Sequence, residues 1–114
     1  MKILLDHCID WRLRRSLPNH DVKSTEEMGW EELKNGKLLA AAATAAFDVF
    51  LTVDQNMKAQ QNLSTLPIPI IVLVAFSNRR ADLVPLPPLL EDVLKSLKPG
   101  QLIEIRTSGF AVAN

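Results

Sequence analysis

Three features are missing from this chain of 114 residues: a second cysteine, an excess of charge and a long apolar run. With Cys8 as its one cysteine, the chain cannot close an internal disulfide, so its stability does not depend on an oxidising compartment. The 13 basic side chains are balanced by 13 acidic ones, which excludes a general polyanion binder because such binding needs clustered positive charge. No run approaches the ~20 apolar residues of a membrane span. Asp6 also interrupts the first apolar run before a signal-peptide core could form, so we expect a cytoplasmic protein without a membrane contact.

Short apolar runs alternate with helical segments and predict one α/β domain. A continuous apolar run is typical of a strand covered on both faces, whereas high alanine content and apolar residues three and four apart favour helices. The predicted strands are "KILL" 2–5, "DVKS" 21–24, "DVFLTV" 48–53, "IPIIVLV" 68–74 and "LIEI" 102–105. The predicted helices are a short one capped by Asp10, 37–46, 57–62 and one that starts at Pro88. Together they predict a three-layer α/β/α sandwich around a mainly parallel sheet of about five strands.

The predicted domain spans residues 1–105. The remaining segment 106–114, "RTSGFAVAN", either adds a further strand to the sheet or stays loose. No internal repeat or low-complexity linker divides the chain.

Two acidic residues follow predicted strands: Asp6 after the first and Asp54 after the third. Ligands of parallel α/β sheets bind beyond the carboxyl ends of the strands, near the point where the strand order reverses. If these two strands are neighbours, both carboxylates lie in one crevice. At about 5 Å they repel by roughly 3 kcal/mol at an effective dielectric of about 20, which favours a shared cation or a shared proton.

An aspartate after a strand can also be an ordinary cap of the next helix, and both interpretations stay open for Asp54. Asp10 directly precedes a helix and is best explained as a cap. Carboxylate and amide oxygens suit Mg²⁺ or Mn²⁺, whereas zinc prefers Cys or His at ligand spacing. Since His7, Cys8 and His20 do not form such a set, we predict a magnesium or manganese site.

The stretches "MKILLD", "HDV", "GW", "NGKLLAAA" and "FLTVDQN" occur in this order and together resemble the PIN-like family of small proteins, which includes many toxin-type ribonucleases. Members begin with an apolar strand that ends in Asp, carry another Asp at the start of the second long helix and show a Thr-x-Asp-x-Asp-Phe pattern. Asp6 matches the first position and Asp54 the first Asp of the last motif. The resemblance implies an acidic metal site that cuts RNA, and an antitoxin protein that neutralises the toxin.

Two positions depart from the family pattern, because Asn35 and Asn56 stand where it has acids. The site implied by the resemblance therefore has Asp6 and Asp54 as metal ligands, with Asn35 and Asn56 as weaker oxygen donors. Two divalent ions about 4 Å apart repel by roughly 17 kcal/mol at an effective dielectric of about 20, and two carboxylates compensate this poorly. We expect a single Mg²⁺ or Mn²⁺ ion, in a site that hydrolyses RNA or only binds it.

Five arginines could hold the phosphate backbone of RNA, although each can equally be a solvated surface charge. They are Arg12, Arg14 and Arg15 soon after Asp6, and Arg79 and Arg80 after the fourth strand. Trp11 and Trp30 are too few to predict a stacking platform, and we expect both in the core or at a partner contact.

Two alternatives belong to other classes of protein. A phosphoacceptor domain similar to bacterial receiver domains would use Asp54 as the acceptor, with Asp6, Ser77 and Lys98-Pro99 in loosely similar positions. However, "LKPG" follows a helical stripe at a place where receivers have their fifth strand. The other alternative is a partner-binding module without chemistry, whose partner is an antitoxin or a second copy of the chain.

Overall fold

Among the residues that the structure describes, six strands form one sheet in the order β2-β1-β3-β4-β5-β6. β1 to β5 run parallel, and β6 runs antiparallel to β5. The computed structural model describes residues 1–57, 61–62, 65–74, 87–106 and 109–114, apart from the side chains of Asn35 and Pro87. The strands are β1 Lys2–Leu5, β2 Asp21–Ser24, β3 Val49–Thr52, β4 Ile70–Leu73, β5 Leu102–Arg106 and β6 Gly109–Val112.

The five predicted strands are confirmed, and the carboxyl-terminal segment adds a sixth. Every residue of β3 and β4 is buried, as expected for central parallel strands with both faces covered. Pro67 and Pro69 precede β4, where the missing N–H groups do not interrupt the ladder. Of the two readings of segment 106–114, the strand is observed: Arg106 ends β5 and 109–112 form β6.

Apolar side chains cover both faces of the sheet. On one face, side chains of β1, β3, β4 and β5 pack with Ile9, Leu13 and Leu17 around the first helix and with Leu90, Val93 and Leu94 of the last helix. On the other face, Leu4, Phe50, Ile70 and Val72 pack with Leu38, Leu39 and Ala42 of the middle helix and with Met57. Alternation along the strands divides the two sets, since successive side chains point to opposite faces.

Three helices lie among the described residues: a 3-10 helix Trp11–Ser16, α1 Asn35–Thr44 and α2 Pro87–Ser96. Asp10 caps the first, as predicted, by accepting a hydrogen bond from the Arg12 N–H. α1 begins and ends two residues before its predicted bounds, and α2 begins one residue before Pro88. Most of the predicted helix 57–62 lies outside the described residues. Within the described ranges, no helix combines the length and the apolar character that crossing a membrane requires.

Candidate functional site at the carboxyl end of the sheet

The two predicted acids follow neighbouring strands. β1 pairs with β3 in parallel register, with Leu5 opposite Leu51. The backbone N–H of Asp6 continues this ladder by donating to the Leu51 carbonyl at 2.9 Å. Asp6 is therefore level with Thr52, and Asp54 follows two residues further along. The predicted adjacency of the two strands is confirmed, while a cation shared by the two carboxylates stays a prediction.

Asp6 is held by two hydrogen bonds and by a contact with the His7 ring. Its residue is only 6% exposed, so its carboxylate needs partners inside the protein. Oδ2 accepts a hydrogen bond from the Thr52 hydroxyl at 2.7 Å. Oδ1 accepts one from the His7 backbone N–H at 2.8 Å and lies 2.9 Å from His7 Nδ1. These contacts fix the orientation of the carboxylate at the end of β1.

Thr52 links the two acids through one hydroxyl group. Its residue is completely buried. The hydroxyl donates to Asp6 Oδ2 and accepts from the Asp54 backbone N–H at 3.0 Å. Its single proton goes to Asp6, so the oxygen is left to accept from Asp54. Thr52 belongs to the "FLTVDQN" stretch, but the sequence interpretation gave it no role, because its partner lies 46 residues away in the chain.

Asp54 closes a local turn and keeps one oxygen available. Oδ1 accepts a hydrogen bond from the Asn56 backbone N–H at 2.9 Å, and the Met57 N–H donates to the Asp54 carbonyl at 3.2 Å. This is an Asx turn of the kind that begins helices. Oδ2 accepts no hydrogen bond within the described part of the chain. The turn bond that a cap would make is thus observed at Oδ1, whereas most of the helix that it would cap lies outside the described residues, and a ligand role for Oδ2 stays a prediction.

Cys8 lies beside this network, with its Sγ 3.8 Å from the Thr52 hydroxyl oxygen. Burial raises the pKa of the Cys8 thiol. A hydrogen bond to the backbone of Val53 opposes this shift, and the negative charge of Asp6 adds to it. The thiolate is the reactive form of cysteine, so the raised pKa makes Cys8 a poor nucleophile at neutral pH.

The loop after β2 is fastened by a reciprocal pair of hydrogen bonds. The Ser24 N–H donates to Glu27 Oε1 at 3.0 Å, and the Glu27 N–H donates to Ser24 Oγ at 3.1 Å. The Arg14 guanidinium lies 2.8 Å from Glu27 and joins this loop to the 3-10 helix. Burial alone would raise the pKa of Glu27, but the hydrogen bonds from Ser24 and the charge of Arg14 outweigh it and lower that pKa. The loops after β1 and β2 are thus held together.

Thr25 carries a buried hydroxyl oxygen without a hydrogen-bond partner within the described residues. Its residue is 1% exposed, and its N–H donates to the Leu5 carbonyl at 3.0 Å. Since Ser24 is paired with Leu5, Thr25 is level with Asp6 on the neighbouring strand. Its hydroxyl is a polar group at the carboxyl end of the sheet that the sequence interpretation did not consider.

The predicted RNA-binding arginines differ in their surroundings. Arg12 makes a two-point contact with Asp10, at 3.0 and 2.7 Å, which raises the pKa of the guanidinium and occupies its charge. Arg15 is exposed, and its guanidinium lies 5.4 Å from the centre of the Trp11 ring. Trp11 is 47% exposed and is therefore a surface residue, whereas Trp30 packs edge-on against Phe47 in the core.

The remaining predicted residues either lie outside the described part of the chain or have other positions in the fold. The side chain of Asn35 lies outside the described part of the chain, as do Arg79, Arg80 and Ser77. Asn56 contributes its backbone N–H to the Asp54 turn, and its residue is exposed. Lys98 and Pro99 precede β5 and line a groove with Met1 and Asp48, at the amino end of the strands. That position is opposite to the one a receiver domain requires.

Comparison with protein-family models, with curated proteins and with solved structures finds no match to this chain. Within the described ranges, no group of three or more His, Cys, Asp and Glu side chains is arranged to hold a metal ion. The chemistry of the site therefore has to be inferred from the two carboxylates and the hydroxyl groups beside them.

Proposed function

We propose that the chain is a PIN-like protein with three α/β/α layers that binds RNA at the carboxyl end of its sheet and cleaves it slowly with one Mg²⁺ or Mn²⁺ ion. Asp6 and Asp54 hold the ion, and Asn35 and Asn56 provide further oxygens. In the cell it is the cytoplasmic toxin of a toxin–antitoxin pair. The observation that carries the proposal is the buried Thr52 hydroxyl, which ties the Asp6 carboxylate to the Asp54 backbone.

A single hard cation fits the residues at this end of the sheet better than two cations. A carboxylate has about four lone-pair positions, and the Thr52 hydroxyl, the His7 backbone and ring and the Cys8 thiol already approach that of Asp6, so it has no room for two cations. Asp54 Oδ2 and the Thr25 hydroxyl are further oxygens without a hydrogen bond among the described residues. Oxygen ligands of this kind are those that Mg²⁺ and Mn²⁺ prefer. Two ions would need more negative charge than two carboxylates provide.

The chain's own residues supply orientation. Thr52 and His7 fix Asp6, and the turn at Asn56 fixes Asp54, so neither carboxylate has to be ordered when a ligand arrives. A divalent ion bound there would stabilise negative charge on a phosphoryl oxygen. With only two carboxylates in place of the larger acidic set of the family pattern, we expect low turnover.

Trp11 and Arg15 are the residues best suited to contact RNA. An exposed indole can stack on an unpaired base, and the Arg15 guanidinium, which has no carboxylate partner among the residues that the structure describes, is available to a phosphate. Arg12 contributes less, because Asp10 already occupies its charge. We expect loss of Trp11 or Arg15 to weaken RNA binding without changing the affinity for the metal.

The test compares metal binding and RNA cleavage in four proteins: the wild type, Asp6→Asn, Asp54→Asn and Asp48→Asn. Asp48 is the matched control, since it lies at the other end of β3 and is an exposed aspartate. We expect Mn²⁺ titration calorimetry to show at least about tenfold weaker binding for the first two variants, which corresponds to about 1.4 kcal/mol, and no change for Asp48→Asn.

The cleavage assay uses a mixed RNA pool with Mn²⁺ or Mg²⁺, and cleavage should disappear in Asp6→Asn and Asp54→Asn but persist in Asp48→Asn. Titration curves that do not differ among the four proteins would remove the metal site. Cleavage by Asp54→Asn at the wild-type rate would exclude this site as the nuclease centre. If acetyl phosphate with Mg²⁺ adds one phosphoryl group to Asp54, the receiver alternative is favoured instead.

A further inference from the structure

The outer edge of β6 is unusually open to another strand. β6 is the last strand of the sheet and pairs only with β5 among the described strands. Its sequence "GFAV" contains no charge and no proline. Edge strands of soluble proteins usually carry charged residues, proline or a bulge that prevents pairing with other chains. β2, at the opposite edge of the sheet, follows this rule with Asp21 and Lys23.

The register shows which backbone groups of β6 point outward. Ile105 is paired with Phe110 and Ile103 with Val112, and the Ala113 N–H donates to the Leu102 carbonyl at 2.8 Å. Hydrogen-bonded and non-hydrogen-bonded pairs alternate along an antiparallel ladder. Residues 109, 111 and 113 therefore bond to β5, and the N–H and C=O groups of Phe110 and Val112 point away from the sheet.

The side chains of the same two residues are apolar and exposed. Phe110 is 49% exposed and Val112 is 46% exposed. They lie opposite Ile105 and Ile103, which belong to the core cluster on one face of the sheet. Since paired residues share a face, Phe110 and Val112 extend this core beyond the edge. Phe110 also lines an open depression of about 200 Å³, together with Arg106, Gly109 and Ala111.

We propose that β6 is a docking strand for β6 of a second copy of this chain, paired antiparallel about a two-fold axis at Ala111. In this register Phe110 lies opposite Val112 of the second copy, and Val112 opposite its Phe110. Each of these two pairs exchanges two backbone hydrogen bonds, so all outward groups of both residues are satisfied. Phe110 and Val112 also form two apolar cross-strand contacts, and the two small Ala111 side chains meet at the axis, where the strands approach most closely.

A second copy fits this edge better than a partner of another kind. The register centred on Ala111 pairs all the outward groups of Phe110 and Val112 with those of the second copy, as a self-complementary two-fold interface requires. β6 carries no charged side chain that would select a charged partner, and the chain has no net charge to keep two copies apart. A four-residue strand buries less than the roughly 1,200 Å² of a typical stable interface, so the dimer depends on protein concentration.

The first test measures the dimer by sedimentation equilibrium over a concentration series. Val112→Pro removes an outward N–H without removing a bond to β5, and Phe110→Lys places a charge opposite Val112 of the second copy. We expect each to raise the dissociation constant of the dimer at least about tenfold, while Lys23→Ala at the opposite edge leaves it unchanged. A wild type that stays monomeric over the series, or a Phe110→Lys protein that dimerises like the wild type, would overturn the proposal.

The second test probes the register directly by disulfide trapping in a Cys8→Ala background. Residues paired on the axis have Cα atoms about 4.5 Å apart, which is within reach of a disulfide. Ala111→Cys should therefore form a disulfide-linked dimer on mild oxidation. Ala113→Cys is the matched control, because its thiols would lie too far apart in this register. Equal yields for the two variants, or no linked dimer with Ala111→Cys, would count against β6 pairing.

Discussion

The two ends of β3 each have an aspartate, but the two are used differently. At the amino end, Asp48 is exposed, and its Oδ2 accepts a hydrogen bond from the Lys2 backbone N–H at 2.8 Å. That contact completes the end of the β1–β3 ladder. At the carboxyl end, the Thr52 hydroxyl connects Asp54 to the buried Asp6. The amino end is closed by a side chain bonded to the backbone, whereas the carboxyl end also has a side chain bonded to a side chain, Thr52 to Asp6.

The side chain of Lys2 makes further stabilising contacts at the amino end of the sheet. Its Nζ donates to the Ala45 carbonyl just after α1 at 2.6 Å and lies 4.5 Å from the centre of the Phe47 ring. A cation at this place stabilises the carboxyl terminus of a helix. Ala46 completes the helix end with a positive φ of 64°, a conformation that often ends helices although a side chain makes it costly. These contacts join β1, the end of α1 and β3 and therefore serve the stability of the fold.

Among substitutions at the two ends of β3, we expect Thr52→Val to have the largest effect on stability. The change keeps the shape of the side chain but leaves Asp6 Oδ2 and the Asp54 N–H without their partner, and Asp6 is buried. We expect the free energy of unfolding to fall by about 2–3 kcal/mol, as for a buried hydrogen bond to a charged group. Urea denaturation at neutral pH measures it.

Thr44→Val is the matched control for this substitution. The Thr44 hydroxyl donates to the Ala40 carbonyl within α1, and the residue is exposed. Its loss should therefore cost less than about 0.5 kcal/mol. If both variants lose the same stability, the hydroxyl of Thr52 has no special part in the network.

A smaller difference is expected between Asp6→Asn and Asp48→Asn. An amide at position 6 turns an N–H₂ group towards either the His7 N–H or the Thr52 hydroxyl, and so loses an accepted hydrogen bond at a residue that is only 6% exposed. We expect a loss of about 1–2 kcal/mol there and less than about 1 kcal/mol at the exposed Asp48. Thermal unfolding of the two proteins in one buffer gives the comparison, and the reverse order would contradict it.

Acid titration of stability tests the contacts of Glu27 in the loop after β2. Its pKa is lowered in the folded protein, so its contribution to stability is full above the pKa of the unfolded chain. That contribution is lost as the pH falls from about 4.5 through the folded pKa. The free energy of unfolding of Glu27→Gln should accordingly decrease less steeply below about pH 5 than that of the wild type. Parallel pH curves for the two proteins would mean that Arg14 and Ser24 do not act on this carboxylate.

The smallest expected effect concerns Cys8. Its pKa is raised in the folded protein, so the stability it contributes is present below the pKa of the unfolded thiol and is lost as the pH rises through the folded pKa. At about pH 8.5 we expect iodoacetamide to modify the folded protein more slowly than the urea-unfolded chain. Asp6→Asn removes one cause of the shift and should speed the reaction in the folded state. A folded protein that reacts as fast as the unfolded chain would contradict the raised pKa.

The strands could be predicted because their signals are local. The runs "KILL", "VFLT" and "IIVL" are apolar throughout, and a parallel strand covered on both faces needs this pattern. Asp10 was predicted as a cap for the same reason, since the helix that it caps begins at the next residue. The parallel direction of the strands followed from the regular alternation of strands and helices, whereas the adjacency of the first and third strands was only a condition of the argument.

The contacts at the site could not be predicted, because they depend on the register between strands. Thr52 meets Asp6 only if Leu51 is opposite Leu5, and a shift of one residue would send its hydroxyl to the other face. Similarly, the sequence alone does not show that Asp10 binds the guanidinium of Arg12 in addition to its N–H. The residue types at the site were predictable, and their pairing was not.

The bond between Thr52 and Asp6 also has a consequence for how the chain matures. It joins residues 46 positions apart, with β2 and α1 between them in the chain. Contacts of this long range form slowly, because a large loop must close before they stabilise anything. A chain still being synthesised therefore cannot form the contact between Thr52 and Asp6 before β3 has left the ribosome, and until then the Asp6 carboxylate has to be satisfied by water.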